Sequence, residues 1–265
     1  MERVAATGRI AALFETLRAE RRLGLITYLT VGYPGLESTP GLVRAVTEAG
    51  ADVVELGIPF SDPLAEGKTI QATSQRALEN GVTVRHCLAV ARECRALTPA
   101  PLVFMGYTNP ILAFGMERFC EEAAAAGVDG LIVVDLSLEE AEELAGRCRA
   151  NGLDLILFVA PTSTEERMAM VVQHATGFIY CIAVTGVTGS REQMGQDVED
   201  LLARVRRHTD LPLALGFGIS RPEHLRALQG KVDAAAVGSA LLEAIGKGQP
   251  EESASRFVRH LRGSG

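Results

Sequence analysis

The chain has no tryptophan, and of its 26 basic residues only Lys68, Lys231 and Lys247 are lysine. It has no cluster of lysine and arginine interleaved with aromatics, so nucleic acid is not expected as a partner. No stretch approaches the ~20 consecutive apolar residues of a membrane span. The five cysteines (Cys87, Cys94, Cys120, Cys148 and Cys181) form no C-x-x-C pair. Most of them lie on helical apolar patterns, which reads as small buried hydrophobes in a reducing compartment. The N-terminus, MERVAATGRIAALFETLRAERR, contains acids and lacks a long apolar core. It does not read as a signal peptide, and a cytoplasmic location is expected. Linkers and low-complexity segments are also missing.

What is present suits one large core. The chain has 265 residues, 47% hydrophobic and 22% charged, with a net charge of -7. A barrel of this length is routinely one domain, and residues 1–265 are expected to form one. Eight short apolar runs begin near residues 24, 52, 101, 130, 153, 177, 211 and 232. They are continuous rather than alternating, as in parallel strands covered on both faces. Helical patterns lie between them. In LEEAEELAGRC, Leu138, Ala141, Leu144, Ala145 and Cys148 share one face. Ser137, Ser163 and Ser220 each precede a glutamate at capping-box spacing, and Thr39-Pro40 reads as a cap followed by proline. The pattern predicts an α/β (β/α)8 TIM barrel with two additions. One is an extra N-terminal helix. The other is an extra helix between strands 2 and 3, around 72–80, ahead of 83–97. The alternative is an open doubly wound sheet, which usually carries G-x-G-x-x-G after its first strand. Here that strand ends in TVGYPG.

Catalytic groups of a barrel sit at the C-terminal strand ends. There the sequence places Glu55, Tyr107-Thr108-Asn109, Asp135 and Tyr180. A lone carboxylate at a strand end often just accepts hydrogen bonds from loop amides, and a strand tyrosine usually packs. Glu55, Tyr107 and Tyr180 together, brought to one rim, argue for a site. The last two strands run into GFGIS and GS. Two glycine turns next to each other, each leading into a helix, suit a phosphate held by backbone N–H groups. The stretch TGVTGSREQMGQD (185–197) reads as a lid, with Thr188 and Gly189 closing over a phosphate ester.

The missing residue types also limit the chemistry. A Schiff-base lyase needs a lysine at a strand end. Lys231 precedes its strand, Lys247 is expected on the last helix and Lys68 in a loop. A metal lyase needs clustered histidines. His86, His174, His208, His224 and His260 are scattered over helical segments, so no metal is expected. Any carbon–carbon cleavage here must use a substrate that supplies its own electron sink.

The stretches ELGIPFSDPLAEG, AGVDGLIVVDL, FIYCIAVTGVTG and GFGIS resemble the α subunit of tryptophan synthase nearly end to end. The resemblance implies a lyase that cleaves indole-3-glycerol phosphate to indole and glyceraldehyde 3-phosphate. It implies no cofactor in this chain, with pyridoxal phosphate expected only in a partner β subunit of an α2β2 complex. It makes Glu55 the general acid/base at indole C3, and Glu66 the second carboxylate, facing the indole N–H. Tyr180 stands beside the acid. Tyr28, Tyr107 and Phe217 would line the indole slot. Thr188, Gly189, Gly218, Gly238 and Ser239 would form the lid and phosphate cradle. Asp62 would face the β subunit.

Several positions depart from the family pattern. Glu66 replaces an aspartate, adding about 1.5 Å of reach where a misplacement near 1 Å costs ~100-fold in rate. Lys68 stands in place of proline, Tyr33 in place of aspartate and Ser137 in place of proline. Glu55 is expected to sit in an apolar site that raises its pKa, and Glu66 to stay ionised, helped by Lys68. Alternatives are a stand-alone indole-releasing lyase, a weakly active allosteric partner of a β subunit, and a sugar-phosphate epimerase. The aromatics count against the epimerase.

Overall fold

The computed structural model describes residues 8–182, 191–216 and 218–263, with the backbone alone for 191–196. Eight strands form it: β1 (Gly24–Thr30), β2 (Val53–Gly57), β3 (Leu102–Gly106), β4 (Gly130–Val133), β5 (Asp154–Val159), β6 (Ile179–Ile182), β7 (Leu213–Gly216) and β8 (Ala234–Val237). All neighbours pair in parallel, and β8 closes on β1, giving a closed barrel in chain order. The expected doubly covered strands are there: every residue of β1, β2, β4 and β8 is buried.

The helices on the N-terminal side of the chain are α1 (Arg9–Ala19), α2 (Ser38–Glu48), α3 (Lys68–Glu79) and α4 (Val84–Leu97). The two helices between β2 and β3 are the expected pair. They are followed by α5 (Thr108–Phe114), α6 (Met116–Ala125), α7 (Leu138–Ala150) and α8 (Glu165–His174). The last are α9 (Arg191–Arg206), α10 (Pro222–Leu228), α11 (Ser239–Ile245) and α12 (Pro250–Arg262).

Two cores result from the period-2 alternation of the strands. The outer core packs the other strand face against the helices. The inner core contains Ile26, Val53, Val103, Ile132, Ile156, Phe178, Ala214 and Ala234, with Ile10, Phe14 and Leu17 of α1. The N-terminal helix therefore plugs the barrel floor. Its Phe14 ring lies 5.7 Å from Phe178.

The arginines gather at that end of the barrel. Asp52, Asp129 and Asp233, just ahead of β2, β4 and β8, accept the backbone N–H of Leu25, Leu102 and Leu213. Each also pairs with two arginines: Asp52 with Arg22 and Arg262, Asp129 with Arg9 and Arg95, and Asp233 with Arg18 and Arg206. A planar guanidinium suits these shared carboxylates better than a lysine point charge.

Some local expectations shift. The Ser137–Glu140 capping box is formed. Thr164 rather than Ser163 caps α8, and Arg221 rather than Ser220 precedes α10, whose Pro222 starts the helix. Ser163 instead accepts the Ala160 N–H in a turn. Thr39 lies inside α2 and accepts the Gly32 N–H. Lys247 lies between α11 and α12, His208 just past α9, and Lys68 opens α3. None of these lysines stands at the C-terminal end of a strand.

Candidate active site

Strand parity decides which side chains enter the barrel. Glu55 follows Val53 of the inner core by two residues and pairs with Tyr28 on one side and Val103 on the other. Tyr180 follows Phe178 by the same step and packs on Phe158, centroids 5.1 Å apart. Both phenols lie across neighbouring backbone where glycine leaves room. A Cβ on Gly57 would stand 2.1 Å from the Tyr28 hydroxyl, and one on Gly216 2.8 Å from Tyr180 Cε1. Cys181, one step out of phase, belongs to the outer core and not to the site.

Glu55 is 1% exposed, and its Oε1 has no hydrogen-bond partner among the described residues. Burial disfavours the carboxylate, and the charge of Glu66 adds to it, pushing Glu55 up to about 8. The expected apolar strand-end acid is therefore present. Glu66 behaves differently from expectation. It is half-buried in the loop ahead of α3, and burial pushes it up to about 7. Lys68 is exposed at the helix start, and no cation among the described residues offsets the desolvation of Glu66. Near neutrality Glu66 is thus only partly ionised.

The phenols gather around these carboxyls. Burial, reinforced first by Glu66, drives Tyr28 far above the usual phenol range. Tyr180 rises for the same reason, with Glu55 the larger of the two charges. Tyr107 is pushed up to about 12 by burial and Glu66. Tyr107 also ties down the loop, because its hydroxyl accepts the Ala65 N–H at 3.3 Å and its ring meets Phe60 at 5.2 Å. The structure thus brings Glu55, Glu66, Tyr28, Tyr107 and Tyr180 together.

The glycine turns lie where the strands end. Gly218 follows β7 with φ +58°, and Gly238 precedes Ser239 at the start of α11. A Cβ on Gly238 would stand 3.3 Å from Tyr28 Cβ, so this turn borders the slot. Phe217, Thr188 and Gly189 lie outside the described residues, as do residues 185–190 of the expected lid, whereas 191–197 form the start of α9 rather than a loop. Asp62 is exposed in the Glu66 loop and accepts the Ser61 hydroxyl at 2.5 Å. Asp135 takes the ordinary role of a strand-end carboxylate, accepting the Thr108 N–H and hydroxyl at 2.7 and 2.9 Å.

Sequence reasoning did not single out Phe60, Phe158, Thr30 or Thr73. Stepping by two from Tyr180 to Phe178, with Phe158 paired to Tyr180 in register, was a usable signal for the inner layer. Nothing in the sequence pairs Thr30 with Thr73, which are 43 residues apart. Among the described residues no group of His, Cys, Asp and Glu is placed to hold a metal. No described helix is long and apolar enough to cross a membrane.

The family model "Tryptophan synthase alpha chain" matches residues 14–262. The tryptophan synthase alpha chain of Chloroflexus aggregans is 50% identical over 255 residues, covering 96% of each chain. That of Roseiflexus castenholzii is 50% identical over 259 residues, 96% of this chain and 99% of the relative. Among solved structures, tryptophan synthase subunit alpha from Legionella pneumophila superposes with a TM-score of 0.90 at 35% identity, covering 98% of both chains. A chain of tryptophan synthase from M. tuberculosis in its aminoacrylate-bound form gives 0.89 at 32% identity, covering 97% of this chain and 99% of that one. The chain belongs to the tryptophan synthase alpha chain family.

Proposed function

We propose that Glu55 is the general acid/base of the reaction that goes with this family. The reaction is a carbon–carbon lyase step, cleavage of indole-3-glycerol phosphate to indole and glyceraldehyde 3-phosphate. One observation carries the assignment: a fully buried carboxyl, one oxygen of which has no partner among the described residues, raised to about 8 beside Tyr28 and Tyr180. Such an acid still holds its proton at neutral pH. Protonating C3 of the indole makes an iminium-like ring. Glu55, now a carboxylate, takes the proton of the adjacent glycerol hydroxyl; the O–H electrons form the aldehyde C=O, the carbon–carbon bond breaks, and its electrons return to the ring. The aldehyde leaves, and indole regains its aromaticity. The substrate is the electron sink, so the mechanism requires neither lysine nor cofactor.

Glu66 is assigned to the indole N–H, where positive charge develops. That charge favours the ionised form of a carboxyl already poised near 7. Tyr180 stands beside Glu55, while Tyr28, Tyr107 and Phe217 hold the ring. We assign the phosphate to the turns at Gly218 and Gly238–Ser239, with Thr188 and Gly189 closing over it. The glycines support this, since an N–H without a neighbouring side chain admits an anion closely. A sugar-phosphate epimerase has no use for the buried aromatic slot.

The chain is further proposed to act in the cytoplasm as the α subunit of an α2β2 complex, its Asp62 loop facing the β subunit. Leu64 in that loop is 91% exposed, which suits a surface that a partner covers. The test is an indole-release assay on the purified chain and on Glu55→Gln, each with and without a β subunit. Cleavage should drop at least ~1,000-fold in the variant with substrate binding largely kept. Wild-type-like turnover by Glu55→Gln defeats the mechanism. No indole from the wild-type chain under either condition favours the weakly active partner.

A further inference from the structure

The longer reach of Glu66 makes its base important, because each added bond widens the positions a carboxylate can sample. We propose that Thr73, on α3 and outside the residues assigned to substrate, is the positioning residue that fixes Glu66. The proposal rests on the reading of Glu66 as the second carboxylate.

Glu66 is tied forward into the first turn of α3. Gln71 Nε2 donates to the Glu66 carbonyl at 2.9 Å, and the Gln71 N–H to the Gly67 carbonyl at 3.0 Å. Gly67 caps the helix without a side chain to hold it, so that turn depends on other anchors. Thr69 reaches Glu243 at 3.1 Å, but this contact is exposed and screened by water. Thr73 forms the buried anchor. It is 4% exposed, and its Oγ1 lies 2.8 Å from Oγ1 of Thr30, itself 1% exposed.

Proton accounting gives the pair a direction. A threonine hydroxyl has one proton to donate. Thr73 gives its proton to the Ile70 carbonyl at 3.0 Å, so Thr30 supplies the proton between the two threonines. Thr30 ends β1, two residues after Tyr28 on the same strand face. A buried hydroxyl that loses its partner is costly, so the chain resists being broken in the middle. It runs from the end of β1, through Thr30 and Thr73, to the first turn of α3, whose Gln71 holds the Glu66 carbonyl.

The test compares Thr73→Val, which keeps shape but removes the hydroxyl, with Thr73→Ser, which keeps the hydroxyl. Thr73→Val is expected to lower kcat/KM for cleavage about tenfold, mostly in kcat, and to shift the acid limb of the pH profile. Thr73→Ser is expected to recover most of the rate. The double variant with Thr30→Val should be no worse than Thr73→Val alone. Hydrogen exchange of the amides at 66–71 gives a readout that does not need catalysis: Val should speed it, Ser should not. Exchange unchanged by Val, or speeded equally by Ser, overturns the proposal. If the wild-type chain cleaves nothing, the functional reading fails, and the exchange comparison still decides whether Thr73 holds the loop.

Discussion

Burying Glu55 raises its pKa from 4.5 to about 8, so between those values the folded chain holds that proton more tightly than the unfolded chain. The stability linked to it is fully present below about 4.5 and is lost as pH rises through about 8. Glu66, raised to about 7, acts in the same direction over a narrower window. Glu55→Gln cannot ionise, and is expected to melt above the wild type near pH 9 and close to it near pH 4. Melting curves at the two pH values check this; equal gaps at both would contradict the burial of the charge. The same values set a rate window. With Glu55 as the proposed acid and Glu66 as the proposed ionised partner, kcat/KM should rise through about 7 and fall through about 8. The two apparent values belong to the pair and not to either residue alone. A profile flat from about pH 6 to 9 would remove both carboxyls from the mechanism.

At the scale of elements, the barrel has a floor and a mouth with different duties. The floor is apolar side chains closed off by α1, and the mouth is carboxyls and phenols. Phe14→Ala leaves a cavity under Phe178, with an expected loss of about 3–5 kcal/mol in urea unfolding. Turnover at low temperature should stay near wild type, because Phe14 lies at the end remote from Glu55. A large loss of kcat with little loss of stability would place α1 in the chemistry instead. The run from β2 to α3 joins floor and mouth. It begins at Val53, passes Glu55, and is held at its far end by Tyr107 and Thr73.

For the whole molecule, the loop bearing Glu66 also bears the most exposed large hydrophobe among the described residues, Leu64. If a β subunit covers it, partner and chemistry share one loop. Leu64→Asp should leave the melting temperature and isolated activity within about twofold while weakening stimulation by a β subunit about tenfold or more. Titration of the chain with that subunit measures it. Undiminished stimulation would move the interface elsewhere.

Eight continuous apolar runs, with helices between them, already specify parallel strands covered on both faces, and the lack of G-x-G-x-x-G after the first favours a barrel over an open sheet. The strand position of Glu55 and the two helices between β2 and β3 follow from the same local patterns. The carboxyl's protonation follows partly too, since any acid on an inward strand face is desolvated. The state of Glu66 does not follow. Lys68 two residues away suggested an ionised carboxylate, yet the fold leaves that lysine in water and half-buries the acid. Cap positions also slipped by a residue, because Thr164 and Pro222 compete with nearby serines for the helix start. Chain order determined the barrel and its acid, because periodicity and burial act over a few residues. Only closure of the barrel decided which phenols surround that acid, and that Thr30 would meet Thr73. Those contacts depend on strand register and helix packing across tens of residues, which no short window of sequence contains.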